Sequence, residues 1–212
     1  MNALVAPGAL AFMPRFLEGM LVNFEIAAIA LGLGLVGGGL LAVAQLGGGF
    51  AGGLAASVVA LMRAAPTFVV MFFLLNALPS SIAPSGAMIV ALSLVPYSAA
   101  YVADSGTDAL NQLRRGSHLA SLLFFPNITR AFFVLVMSSG TGTAIGVREG
   151  ITVLLHQAEL MPSLDHKLLV FAIGVACFGV PLQIAFAVTR LIQNRLGRRA
   201  AAYSLDGAAS SA

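Results

Sequence analysis

Residues 20–44 read MLVNFEIAAIALGLGLVGGGLLAVA. Apart from Asn23 and Glu25 nothing in this run seeks water, and its length exceeds the roughly 20 residues with which an α-helix crosses hydrocarbon. Four more apolar runs of similar character follow at 54–78, 87–103, 131–155 and 168–191. The second contains Arg63 and Pro66, and the fourth is interrupted by Ser138-Ser139-Gly140-Thr141-Gly142-Thr143, so the fourth reads as two shorter pieces. The pattern predicts an all-α polytopic membrane protein of about five transmembrane helices. Glycine recurs inside the runs, as in Gly34-x-x-x-Gly38. Such spacing lets helix backbones approach closely where lipid offers no hydrophobic drive for association.

Composition excludes the soluble alternatives. Of 212 residues 59% are hydrophobic and 9% charged, against about 25% charged in soluble domains, and the mean hydropathy is +0.96. Eleven Lys and Arg with eight Asp and Glu cannot build the polar skin of a soluble fold this size. The basic residues stand between and after the apolar runs rather than along one polar face, which marks topology and not nucleic-acid binding. Cys177 is the only cysteine, so no disulfide forms within the chain and the residue reads as a small core hydrophobe. His118, His156 and His166 lack the spacing of a metal site, and no metal is assigned. Residues 1–16 carry no cation ahead of their apolar stretch and do not resemble a cleavable signal.

With the N-terminus outside, the inner side would hold Arg63, Arg114, Arg115, Arg130, Arg190, Arg195, Arg198 and Arg199, leaving Arg15, Arg148 and Lys167 outside. This bias predicts an outer N-terminus and a cytoplasmic C-terminus.

Several motifs fail on context. Gly32-Leu33-Gly34-Leu35-Val36-Gly37 matches a dinucleotide fingerprint but lies mid-span without a preceding strand. The only lysine, Lys167, sits in no G-K-[ST] segment, so the chain has no P-loop for ATP. Asn127-Ile128-Thr129 matches a glycosylation sequon on the side expected to be cytoplasmic, and a G-x-S-x-G nucleophile elbow is absent.

Polar groups at membrane depth carry more information, because lipid penalises them. Tyr97, Tyr101 and Asp104 share one face of the third run at i, i+4, i+7, with Ser98 beside them. The face either lines a translocation path or packs on a partner. Ser138, Ser139 and Thr141 have the same two readings, packing slightly favoured because hydroxyls satisfy backbone groups freed by glycine. Arg114, Arg115 and His118 lie in the longest internal polar segment, either as a solvated anchor or as a contact surface for a cytoplasmic partner.

Taken in order, the segments resemble the membrane permeases of bacterial polar amino acid ABC importers, over about residues 16–199. Leu17-Glu18-Gly19-Met20-Leu21-Val22-Asn23 is similar to the family's opening G-L-x-x-T-L, with Asn23 in place of Thr. Leu61-Met62-Arg63-Ala64-Ala65-Pro66-Thr67 is similar to F-R-G-T-P-L. Ala91-Leu92-Ser93-Leu94 with Ser98-Ala99-Ala100-Tyr101-Val102-Ala103-Asp104 resembles A-L-S-L…S-A-A-Y-x-A-E, Asp104 standing for Glu. Ala144-Ile145-Gly146-Val147-Arg148-Glu149 resembles S-V-I-G-V-x-E. Two elements depart from the family. Gly116-Ser117-His118-Leu119-Ala120-Ser121 stands at the start of the E-A-A-x-x-x-G coupling loop, with Leu119 in place of Glu, and Phe125-Pro126 arrives about a dozen residues early, so the coupling helix is expected to be shortened. K-D-T-S-L is replaced by Gly140-Thr141-Gly142-Thr143-Ala144.

The resemblance implies a type I importer permease domain over 1–199, a mobile cytoplasmic tail over 200–212, and a place in a bacterial inner membrane with the N-terminus periplasmic. It implies solute transport by alternating access, with Tyr97, Ser98, Tyr101, Asp104, Ser138, Ser139 and Thr141 on the path. Coupling to an ATPase would use Arg114, Arg115, Gly116, His118, Leu119 and Pro126. Expected partners are lipid, a second permease subunit (a heterodimer, given the shortened loop), cytoplasmic ATP-binding subunits and a periplasmic solute-binding protein. The chain itself would be no enzyme and hold no cofactor, ATP and magnesium belonging to the ATPase. Other readings are a permease-derived scaffold decoupled from ATP hydrolysis, and an autonomous channel or carrier.

Overall fold

The structure is a computed structural model that describes residues 11–79 and 84–209, without the side chains of His118, Leu119 and 196–209. Among the described residues eight α-helices run in the order α1 (Met13–Leu46), α2 (Gly49–Ala64), α3 (Thr67–Ala77), α4 (Gly86–Arg114), α5 (His118–Ser121), α6 (Phe124–Ser138), α7 (Gly150–Glu159) and α8 (Leu164–Ala209). A 3₁₀ segment, Ser139–Ile145, continues α6, and no strand occurs among the described residues. The all-α expectation holds. The backbone at 200–209, expected to be a mobile tail, continues α8, while residues 210–212 lie outside the described residues.

Local chemistry sets the boundaries. Pro14 opens α1 in its first turn, where a missing N–H costs nothing. Gly48 and Gly49 take φ of +65° and +60° in the turn into α2, backbone that only glycine adopts without strain. Pro66 forces Ala65 out of the helical region, to ψ 116°, and α2 and α3 meet at 92°. The second apolar run is thus two helices and not one rod. Ser85 caps α4 by accepting the Met88 N–H at 3.2 Å. At its other end Gly116, with φ +77°, lets the Ser117 N–H reach the Gln112 carbonyl at 2.9 Å, a helix-terminating turn.

Packing is organised on α1 and α4. The buried face of α1 carries Ile26, Ala27, Ala30, Gly34, Gly38 and Ala42. A Cβ on Gly34 would collide with Ser98, and one on Gly38 with the Ala99 carbonyl oxygen and Val102. Ala42 meets Gly106, and Arg114 donates to the Leu46 carbonyl at 3.3 Å. Residue numbers rise together along this seam, so α1 and α4 are parallel neighbours. The expected close approach at Gly34 and Gly38 is the seam itself.

Parallel neighbours need a connection that returns the chain to its starting side. Among the described residues four helices (Met13–Leu46, Gly86–Arg114, Phe124–Ile145 with its 3₁₀ end, and Leu164–Arg195) are long and apolar enough to cross a membrane, and the bent pair α2–α3 adds a fifth where it forms one broken span. α6 runs against α1, since Asn23 meets Ser139 while Leu31 shares a groove with Ile128. α8 runs against α6: Gln193 reaches the Leu122 carbonyl, Thr189 meets Thr129, and Phe186 packs on Phe133 with ring centroids 4.9 Å apart. α7 is too short to cross and folds back along α8, Leu154 against Gly174 and Gly150 against Phe178. With α2–α3 as one broken span, five crossings would put the two ends of the chain on opposite sides.

Gly38→Val is expected to destabilise the protein by about 1–3 kcal/mol through overpacking, whereas Gly39→Ala, which meets nothing within 4 Å, leaves it unchanged. Thermal melts of the two purified variants in one detergent check this.

Candidate functional site

Three polar constellations stand out on this scaffold. The first joins α1 to the corner between the 3₁₀ segment and α7. Asn23, Ser139 and Glu149 are all fully buried. The Asn23 amide donates to Ser139 Oγ and to Glu149 Oε2, both at 2.7 Å, and its carbonyl accepts the Gly150 N–H at 2.8 Å. Glu149 caps α7. Its Oε2 also accepts the Ile151 N–H, and its Oε1 accepts the Thr152 N–H, the Thr152 hydroxyl and the Thr143 hydroxyl, at 2.6–2.8 Å. Four donors converge on one carboxylate at a helix N-terminus, with the Thr152 hydroxyl shared between it and the Val147 carbonyl at 2.8 Å, which compensates its charge without a cation. Gly19 makes room for the corner: a Cβ there would lie 2.8 Å from the Glu149 carbonyl carbon and the Gly150 nitrogen.

The second constellation is the α4 face. Tyr97 and Tyr101 lie half-buried with ring centroids 6.2 Å apart, and one turn on, Asp104 pairs with Arg63 from the end of α2. Both charged side chains remain about half exposed, at 60% for Arg63 and 45% for Asp104, so the pair sits on the surface of this chain and not in its core. Arg63, counted by the sequence with Arg114 among the inner-side cations, joins α4 at Asp104, ten residues before Arg114 and about 15 Å along the axis. Ser98, grouped with the tyrosines, points the other way: it is fully buried against Gly34, and its hydroxyl finds no hydrogen-bond partner among the described residues.

The hydroxyl stretch divides similarly. Ser139 belongs to the buried network and donates to the Val136 carbonyl at 2.6 Å. Thr141 keeps its Oγ1 buried without a partner among the described residues. Ser138 alone opens on a groove, shared with Arg130, Phe133, Val134, Met137 and Phe186.

The third constellation is the α4–α6 corner. Arg114 is committed to the Leu46 carbonyl, while Arg115 is exposed. Gly116 makes the left-handed turn, α5 is a single turn of four residues, and Pro126 falls in the first turn of α6, where proline is tolerated. The side chains of His118 and Leu119 lie outside the described residues.

Sequence reasoning had quoted Asn23 and Glu149 only as motif letters and missed that they touch. The available signal was their polarity inside or beside apolar runs, which requires partners; which partners is decided by the tertiary corner alone.

No family model matches this sequence, and no curated protein matches it. Among solved structures, the chain superposes on a crystal structure of an amino acid ABC transporter with histidines, with a TM-score of 0.67. The match covers 91% of this chain and 99% of the other at 17% identity. The fold is that of an ABC transporter chain. At that identity the likeness speaks for the helix arrangement and not for the side chains that meet a solute.

Asn23→Ala and Glu149→Gln each strip the buried carboxylate site of matched donors or acceptors and are expected to cost about 2–3 kcal/mol. The exposed neighbour Arg148→Ala leaves stability unchanged; detergent melts of the three variants check the contrast.

Proposed function

We propose that this chain is the transmembrane subunit of an ATP-binding cassette importer for amino acids or similar small polar solutes. The observation that carries the reading is the shared arrangement of helices over nearly the whole of both chains. The positive bias of one side supports a bacterial inner-membrane location with a periplasmic N-terminus.

Transport would proceed by alternating access, a rigid-body switch of packed helices driven by partner ATPases that bind ATP and magnesium. In this scheme α1 and α4 move together, because their seam leaves no room for sliding, and the Asn23–Glu149 corner carries α7 with them. The Tyr97, Tyr101 and Asp104 face, with Arg63, borders the solute path against a second permease subunit. A heteromeric pair fits best, since a one-turn α5 is a small lever for force from an ATPase. The exposed Arg115 beside it would meet the acidic rim of the ATP-binding subunit, and a periplasmic binding protein would deliver solute to the opposite side. The same short α5 supports a second reading, a permease-derived scaffold that assembles with an ATPase without transporting.

Purification of the tagged chain from its native membrane in mild detergent separates these readings. The importer reading predicts a copurifying ATPase and second permease, ATP hydrolysis that rises on adding amino acids, and loss of that rise in Arg115→Glu. An ATPase that copurifies but ignores solute favours the scaffold, and a chain that purifies alone contradicts both.

A further inference from the structure

α6 and α8 leave a groove of about 450 Å³ between them, lined by Arg130, Phe133, Val134, Met137, Ser138 and Phe186. Five of the six lie on one face of α6, at i, i+3, i+4, i+7 and i+8 from Arg130, so the groove has a cation at one end, an apolar wall, and a hydroxyl about 12 Å further on.

The cation is not isolated. Thr129 and Thr189 meet across the two helices with hydroxyl oxygens 3.4 Å apart, and each is followed directly by an arginine, Arg130 and Arg190. Both arginines are exposed, and neither has an ion-pair or hydrogen-bond partner among the described residues; the ion pair found there is Arg63 with Asp104. α6 contains no acidic residue, and Asp165, the acidic residue of α8 whose side chain is described, lies 25 positions from Arg190, about 38 Å along the helix. Two unpaired cations at the edge of an apolar surface call for an anion from outside the chain. The wall beyond them calls for hydrocarbon: Val134 and Met137, both exposed on α6, line it together with Phe133 and Phe186. A small polar solute would satisfy the first demand and waste the second.

We propose that this groove is a binding site for one anionic phospholipid, its phosphate held by Arg130 and Arg190 and an acyl chain laid along Phe133, Val134, Met137 and Phe186. The assignment does not depend on what the chain transports. It makes α6 and α8 a pair bridged by lipid at the level where Thr129 and Thr189 touch.

The test is native mass spectrometry of the full-length protein in detergent, counting retained phosphatidylglycerol against phosphatidylcholine of the same acyl chains, with thermal melts alongside. Retention of phosphatidylglycerol is expected to exceed that of phosphatidylcholine by about fivefold per arginine. The preference should fall in Arg130→Gln and Arg190→Gln and survive in Arg130→Lys. Val134→Trp, which fills the wall and leaves both arginines in place, should lose the bound lipid as well, and this variant decides the matter if a glutamine variant does not fold. Equal retention of the two lipids, or full retention in the glutamine variants or in Val134→Trp, overturns the proposal. Protection by inorganic phosphate or by free amino acids equal to that by phosphatidylglycerol overturns it in favour of a polar ligand. Loss of a copurifying protein in Val134→Trp with the lipid count unchanged overturns it in favour of a subunit contact.

Discussion

Everything in this fold that faces inward refers to the seam between α1 and α4, where Gly34 and Gly38 admit Ser98, Ala99 and Val102 at distances that no Cβ would tolerate. In lipid two apolar helices gain nothing by hiding from their surroundings, so association rests on contact density and on whatever polar groups can be matched. Glycine at i and i+4 supplies the density. Because the two helices are parallel, the chain between them must cross back, and it does so through a pair of helices broken at Ala65-Pro66 instead of a straight span. Ahead of the break, the end of α2 brings Arg63 alongside Asp104.

The second constraint is the buried carboxylate. Glu149 would be untenable in a lipid-covered domain without compensation, and here the Asn23 amide, the Thr143 hydroxyl and two backbone N–H groups of α7 are directed at it, with the Thr152 hydroxyl shared with the Val147 carbonyl. Compensation of this kind has a structural consequence: α1, the 3₁₀ segment and α7 cannot part without exposing the charge. Under the proposed alternating access the corner would move as one body with the α1–α4 seam, leaving relative motion to the elements outside it, α2–α3 with its 92° bend and α8, the most exposed of the four long spans. Lipid between α6 and α8 would act on that outer layer.

What could be read from the sequence, and what could not, follows the range of the interactions. The apolar runs and the small-residue contact at Gly34 and Gly38 are local properties of one helix, and they were legible; the break expected at Ser138 to Thr143 instead falls at 146–149, because the glycines and hydroxyls there tighten α6 into a 3₁₀ end and do not stop it. Pro66 was visible too, but periodicity cannot say whether a proline kinks a helix or ends it, and the 92° bend is the answer. Ser98 was placed with Tyr97 because it is adjacent in sequence, although adjacent residues of a helix point about 100° apart. Asn23 and Glu149 are separated by 126 positions, and no pattern within either segment names the other. Arg63 and Asp104 escaped for the same reason.

The central claim is that α1 and α4 are parallel, so that α2–α3 crosses the membrane. Single cysteines at Phe50, at the start of α2, and at Pro79, just beyond α3, can be placed in a Cys177→Ala background and labelled with a membrane-impermeant thiol reagent in sealed, oriented vesicles. The account predicts that the two positions label from opposite sides. Labelling of both from the same side would make α2–α3 a re-entrant loop and contradict the parallel seam.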